Sequence, residues 1–205
     1  MFDPRTELMP ARSADRVSLE QTTAPGRATR ADRIAKLQIS ARRGDDRAQY
    51  LLGKLYLAGS GIELEQDLAL AAYWTERAAL AGNAPAQETL AGLYSAGAGV
   101  PRDAIMAAHW WRRAADQGRA SAQFNLGLQY ATGNGVPSDA DEAVFWWAQA
   151  ANAGSAVAQF NLGLMYMKGE GVEEDLDEAV RLWELSARQG FEQAVHVLRL
   201  FQMMR

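Results

Sequence analysis

Residues 119–154 read Arg119-Ala-Ser-Ala-Gln-Phe-Asn-Leu-Gly-Leu-Gln-Tyr-Ala-Thr-Gly-Asn-Gly-Val-Pro-Ser-Asp-Ala-Asp-Glu-Ala-Val-Phe-Trp-Trp-Ala-Gln-Ala-Ala-Asn-Ala-Gly154. An apolar stretch with helical spacing runs into a Gly-x-Gly-Val turn, and an aspartate then opens a second stretch. In that second stretch Ala143, Trp146, Trp147 and Ala150 fall at i, i+3, i+4 and i+7, one face of an α-helix. Glycine after the last periodic residue suits a left-handed C-cap. Aspartate before the next apolar run suits an N-cap, and Glu142, three residues on, predicts a capping box. The block therefore reads as helix A, turn, helix B.

The same block recurs in both directions. Gly82, Gly118, Gly154 and Gly190 are 36 residues apart, and Gly44 lies 38 before Gly82. Ala48, Ala86, Ala122 and Ala158 keep the register, as do Tyr56, Tyr94, Tyr130 and Tyr166. Asp67, Asp103, Asp139 and Asp175 open the B helices, with Glu178 predicting a second capping box. The B-helix stripe returns as Ala107, Trp110, Trp111, Ala114 and as Ala179, Leu182, Trp183, Ser186, whereas in the first copy Trp74 is followed by Thr75. Four copies occupy 45–82, 83–118, 119–154 and 155–190. The two extra residues of the first copy fall in its turn, near Leu64 and Glu65, where insertion costs least. Isolated helices of roughly 10 to 13 residues are marginal in water. Burying one Trp is worth roughly 4 to 6 kcal/mol gross, against about 1 to 2 kcal/mol per residue for ordering the chain. One copy cannot win that contest alone, but neighbours sharing a face can.

The pattern Ala-x-x-x-Leu-Gly-x-x-Tyr-x-x-Gly-x-Gly-Val, then Asp, Ala, Trp, Ala-Ala and Gly, resembles the Sel-like repeat (SLR) family, relatives of the tetratricopeptide repeats. The resemblance covers residues 45–190. It departs at Ala91, which replaces the helix A glycine of Gly53, Gly127 and Gly163, and at Ser186, which replaces an alanine. It implies an all-α, right-handed α/α superhelical solenoid of four helix-turn-helix repeats whose A helices line a concave face. It also implies scaffold or adaptor roles in bacterial complexes, without naming a partner. Residues 31–44 align with a helix B lacking its helix A, with Leu37 in the column of Trp111 and with Lys36, Arg42 and Arg43 facing water: an N-terminal capping helix. Residues 191–205 align with a lone helix A, a C-terminal capping helix in which Ala194 and Leu198 take the places of Ala158 and Leu162. Phe201, Met203 and Met204 are expected to lack a covering repeat and to offer a self-association or partner surface. Residues 1–30, with Pro4, Pro10, Pro25 and Gly26, read as a disordered arm.

The chain has 205 residues, 48% of them apolar, and no cysteine, which excludes disulfides and thiol-based zinc or redox sites. The first thirty residues hold no apolar run of secretory type, and no stretch approaches ~18 unbroken apolar residues, so the expected address is cytoplasmic, without membrane insertion. Five arginines in that segment faintly suggest an organelle transit peptide, a reading that Asp3, Glu7, Asp15 and Glu20 dilute. Residues 1–58 carry 11 basic and 7 acidic side chains and residues 59–205 carry 10 and 18, so the array is acidic and nucleic acid is not the expected partner. His109 and His196 sit beside no nucleophile or carboxylate at a suggestive spacing; His109 shares a column with Tyr73, Phe145 and Arg181, as a surface position would. The glycine turns lack the Gly-Lys-Ser/Thr of a phosphate loop, and the acidic run from Glu170 to Glu178 lacks the order of a calcium loop. No catalytic, cofactor or metal residue is predicted.

Positions that change between copies on a shared face are free to carry specificity. Helix A of the third copy offers Asn125, Gln129 and Thr132 at i, i+4 and i+7 as a polar sector. The equivalents are Leu51, Leu55 and Ala58; Thr89, Leu93 and Ala96; and Asn161, Met165 and Lys168. This stripe is expected to line a groove for an extended peptide or helix of a partner protein, with Asn125 and Asn161 able to donate to and accept from its backbone. Gln49, Gln87, Gln123 and Gln159 recur in every copy and are expected to bond structurally. The predicted function is a protein-interaction scaffold. The alternatives are a self-assembling structural protein that pairs its basic beginning with its acidic end, and a non-catalytic regulatory subunit of an enzyme complex.

Overall fold

The computed structural model describes residues 29–59, 61 and 64–203. Nearly all of residues 1–30, expected to form an arm, lie outside the described residues, as does Met204; Thr29 and Arg30 already belong to the first helix and its cap. Among the described residues there are ten α-helices and no strand: α1 (Arg30–Arg42), α2 (Asp46–Ala58), α3 (Leu68–Leu80), α4 (Ala84–Ala96), α5 (Ala104–Ala115), α6 (Ala120–Thr132), α7 (Ala140–Asn152), α8 (Ala156–Lys168), α9 (Leu176–Arg188) and α10 (Glu192–Met203). Each helix packs chiefly on its neighbours in chain order. The result is an α/α right-handed solenoid, in which α2, α4, α6 and α8 are A helices and α3, α5, α7 and α9 are B helices.

Local chemistry sets the boundaries. Asp67, Asp103, Asp139 and Asp175 cap the B helices, each carboxylate accepting from backbone N–H groups of the first turn. Asp45, Asn83 and Ser155 do the same for α2, α4 and α8. Arg119 holds the equivalent place before α6 and makes no cap bond; it pairs instead with Glu88 on α4 at 2.7 Å. The A helices α4, α6 and α8 end at Gly97, Gly133 and Gly169, with φ of 71°, 68° and 65°. The second glycine of each turn lies against the preceding B helix. A Cβ on Gly99, Gly135 or Gly171 would come 1.9, 2.1 or 2.4 Å from the carbonyl oxygen of Leu68, Ala104 or Ala140. The turn motif thus stops one helix and seats it on the previous copy.

The capping boxes expected at Glu142 and Glu178 do not close. Their backbone N–H groups reach the aspartate, but the carboxylate of Glu142 is taken by the indole N–H of Trp146 at 2.9 Å, and that of Glu178 by Arg181 at 2.6 Å. The complete box belongs to α1, between Thr29 and Asp32.

Candidate functional site

The spine behind the A helices fixes which of their residues face outward. Ala107, Trp110, Trp111 and Ala114 are buried, as are Ala143, Trp146, Trp147 and Ala150, and Ala179, Leu182, Trp183 and Ser186. Within copies three and four the tryptophan of one column, Trp147 or Trp183, lies against the helix A glycine: a Cβ on Gly127 would stand 2.6 Å from Trp147 Cδ1, and one on Gly163 2.5 Å from Trp183 Nε1. That closeness lets each indole N–H donate at 3.1 Å to a helix A carbonyl, Phe124 for Trp147 and Phe160 for Trp183. In the second copy Ala91 occupies the glycine place, and Trp111 makes no equivalent bond among the described residues.

The recurring glutamines knit each A helix to the helix before it. Gln49, Gln87, Gln123 and Gln159 are buried, and their amide nitrogens donate to the carbonyls of Ala41, Ala79, Ala115 and Ala151 at 3.0, 3.0, 3.2 and 3.2 Å. They are structural bonders, as the repetition predicts.

The predicted stripe is not one open surface. Asn125 is half-buried and Thr132 exposed, but Gln129 is only 5% exposed, and its counterparts Leu93 and Met165 only 5% and 7%. The reason is helical periodicity: Gln129 lies two turns after the fully buried Ala122 and shares its face, which the neighbouring helices cover. Leu55, in the same column, is half-buried at the end of the array. The outward residue in the middle of the stripe is i+3 and not i+4. In the third copy the open stripe is Ser121, Asn125, Leu128 and Thr132. In the first it is Arg47, Leu51, Lys54 and Ala58; in the second, half-buried Pro85 and Thr89 with exposed Gly92 and Ala96; in the fourth, half-buried Val157 and Asn161 and exposed Lys168, while Leu164 packs against the core cluster of Ala179, Trp183 and Ala194. The apolar character of Leu93 and Met165 was the sequence signal that their column is core.

The A helices adjoin along this side. The Asn83 amide donates to Asp46 at 2.8 Å, linking α4 to α2, and Arg119 and Ser121 both donate to Glu88, linking α6 to α4. These contacts engage the carboxylates beside the stripe. The four outward columns hold cations at Arg47, Lys54 and Lys168 and no carboxylate at all. Lys168 lies 3.7 Å from Glu170, and Lys54 stands over the Tyr50 ring at 5.8 Å. The amide nitrogens of Asn125 and Asn161 donate back to the carbonyls of Ser121 and Val157 at 2.9 and 2.8 Å, so one N–H of each is engaged within its helix. Each amide keeps its oxygen and its second N–H for an incoming backbone. Below the stripe, at the junction of α1 and α2, the Asp45 carboxyl is held below the ordinary carboxylate range by the N–H of Ala48 and the hydroxyl of Ser40.

His109 and His196 are both exposed, with no carboxylate bonded to either. Among the described residues no group of three or more His, Cys, Asp or Glu side chains could hold a metal, and no helix is long and apolar enough to cross a membrane. At the C-terminal end Phe201 is half-buried, its ring 6.5 Å from that of Trp183, so it folds back and is not the open surface expected. Met203 stays 83% exposed.

Comparison with known proteins agrees with this geometry. The Sel1 repeat model matches residues 46–83, 84–118, 120–155 and 156–191. No curated protein matches the chain. Among solved structures, c5321, a protective antigen of uropathogenic Escherichia coli with an SLR fold, is 37% identical with a TM-score of 0.77 over 80% of this chain and 35% of its own. A Sel1 repeat protein from Oxalobacter formigenes is 33% identical with a TM-score of 0.75, over 83% of this chain and 49% of its own. The Helicobacter pylori cysteine-rich protein B, at 20% identity and a TM-score of 0.50, covers 65% of this chain and 97% of its own and shares the fold. The chain thus spans half or less of the length of the first two.

Proposed function

The chain belongs to the Sel1-repeat family, and from that premise we propose that it is a protein-interaction scaffold that holds an extended segment of a partner along the outward stripe of its A helices. Sel1 repeats mediate protein–protein interaction and form a non-catalytic scaffold fold. The observation that carries the finer reading is the contrast between neighbouring columns. Ala122, Gln123 and Leu126 and their counterparts barely change from copy to copy because they build the spine. The outward columns run from Arg47, Leu51 and Lys54 through Thr89 and Gly92 to Asn125 and Leu128, and then Asn161, Leu164 and Lys168. Architecture does not require that variation, so it is available for recognition. The side chains present favour a segment with apolar groups for Leu51 and Leu128, peptide groups for the two asparagines, and carboxylates toward Lys54 and Lys168.

A photo-crosslinking amino acid placed at Leu128 and, separately, at Phe145 on the opposite B-helix surface tests the reading in the source cell. We expect one protein to be captured from position 128, and the capture to be lost when Asn125 and Asn161 are both changed to alanine. Capture from position 145 alone, or capture at 128 indifferent to the two asparagines, would overturn the assignment of the stripe.

A further inference from the structure

The fourth repeat lacks two large side chains that surround one spot in the third. There the Trp146 indole is 5% exposed, and its N–H donates to the Glu142 carboxylate at 2.9 Å. The Arg112 guanidinium lies over that ring at 5.3 Å from its centre, stands 3.5 Å from Glu142 and donates to the Tyr130 hydroxyl. One repeat of 36 residues later the polar half of this cluster is kept and the bulk is not: Glu178 and Tyr166 stand for Glu142 and Tyr130, but Leu182 replaces Trp146 and Ala148 replaces Arg112. The same column is tryptophan at 74 and 110, so Leu182 is its single departure among the four copies. A pocket of about 420 Å³ opens at this place between α7, α8 and α9. Buried Ala151, Leu162 and Leu182 line it together with half-buried Ala148, Tyr166 and Glu178.

We propose that this pocket takes a tryptophan side chain from a partner protein, its indole lying against Leu162 and Leu182 and donating its N–H to Glu178 as Trp146 donates to Glu142. The fourth repeat thus keeps the acceptor and receives the donor from outside. Arg181 bonds both Glu178 oxygens at 2.6 Å, but a carboxylate oxygen accepts more than one hydrogen bond, and Glu142 likewise serves an indole with an arginine beside it. Arg181 also borders the pocket and offers a visiting ring the guanidinium that Arg112 offers Trp146. The charges of Arg181 and Glu178 offset each other, and the Gln159 amide is engaged at both ends, by Ala151 and Gln189. The site therefore suits a neutral indole on a peptide better than the ammonium and carboxylate of a free amino acid. Exposed Asn152 at the rim offers its amide to the peptide backbone that carries the indole. None of the pocket residues belongs to the A-helix stripe, so the inference stands whether or not that stripe binds a segment.

The probe is N-acetyl-tryptophanamide, titrated into the full chain and followed by amide NMR. Saturable shifts are expected at residues 148–166 and 178–185, with a dissociation constant on the order of a millimolar or below. N-acetyl-leucinamide should bind roughly tenfold more weakly or worse, and so should the N1-methylated tryptophan amide, which has no N–H to donate. Leu182→Trp restores the column and fills the pocket from within, so it should abolish the shifts, with circular dichroism confirming unchanged helix content. The comparison among probes uses the native chain and decides the matter even if that variant fails to fold. No saturable shift at the pocket, equal binding of the leucine or the methylated probe, or shifts that persist in a folded Leu182→Trp chain would overturn the proposal. So would tighter binding of free tryptophan, which would make the site one for an amino acid and not for a partner's side chain.

Discussion

Replacing Ala153 by glutamine should stabilise the protein, and the reason is visible in two of its own repeats. Gln87 and Gln159 use both ends of their amides: the nitrogen donates to the preceding helix, and the oxygen accepts from a second glutamine thirty residues on, Gln117 at 2.7 Å and Gln189 at 2.9 Å. In the third repeat the nitrogen of Gln123 still donates to Ala115, but its buried Oε1 has no partner. The position that corresponds to Gln117 and Gln189 is Ala153. That residue is exposed and has φ −78° and ψ 4°, a conformation open to any L-residue, so a glutamine there can follow the path its counterparts take. An unpaired buried acceptor costs about 1 to 3 kcal/mol, and a satisfied bond contributes about 0.5 to 1.5 kcal/mol net. Ordering one more glutamine opposes this by up to about 1.5 to 2 kcal/mol, less because the helix end is already fixed. We expect a gain of about 0.5 to 1 kcal/mol, read as a higher urea midpoint at unchanged m and a rise of about 2 to 4 °C per kcal/mol in Tm. The gain should vanish when Gln123 is first changed to methionine. In the converse experiment Gln189→Ala should cost about 1 to 2 kcal/mol by stranding the oxygen of Gln159. If Ala153→Gln stabilises equally with methionine at 123, the bond is not the cause and the reasoning fails.

Gly127→Ala should cost about 1 to 3 kcal/mol despite the better helix propensity of alanine, because its Cβ displaces the Trp147 indole from the Phe124 carbonyl; urea unfolding measures the loss, and tryptophan fluorescence should shift with it. Glu142→Met should leave the Trp146 N–H as unpaired as that of Trp110, which has Met106 at the same offset, and lower stability by about 1 kcal/mol in the same assay. Trp147→Ala should cost ~3 to 5 kcal/mol through the cavity it opens, whereas Asn125→Ala should change stability by at most ~0.5 to 1 kcal/mol; unfolding by the second would remove Asn125 from the binding stripe. Asp32 and Asp45 are held below their ordinary 3.8, the first by the hydroxyl and N–H of Thr29, the second by the N–H of Ala48 and the hydroxyl of Ser40. The folded state thus releases these protons more readily than the unfolded chain, and the stability they contribute is present above the unfolded value and is lost as pH falls through the lowered ones. Amide exchange, corrected for its intrinsic pH dependence, should show α1 opening in that acid range before α5–α7 do.

The repeat and its helix pairs could be read from spacing alone because a solenoid applies the same packing test to every copy. A residue that passes four times, such as the spine glutamine or the aspartate that opens helix B, is recognisable as structural without a second sequence. What spacing could not resolve was a matter of one helical position. Gln129 looks like a surface residue by type, and its column reads as core only when Leu93 and Met165 are given more weight than the glutamine. The capping boxes failed for a different reason: the sequence supplies the glutamate but not the competitors, and Trp146 and Arg181 reach those carboxylates first.

Each departure from the repeat is a substitution already made on a constant background, and its consequence can be seen beside the unaltered copy. Alanine for glycine at 91 goes with a tryptophan that lacks its carbonyl, and alanine for glutamine at 153 with an oxygen that lacks its donor. Methionine for glutamate at 106 goes with an indole that lacks its acceptor. All three lie in the middle of the array, where neighbours on both sides hold the helices in place and a lost bond is tolerated. The first repeat departs in the same columns, with Leu70, Thr75 and Ala81 where Glu142, Trp147 and Gln189 stand in later copies, so such losses are not confined to one part of the array.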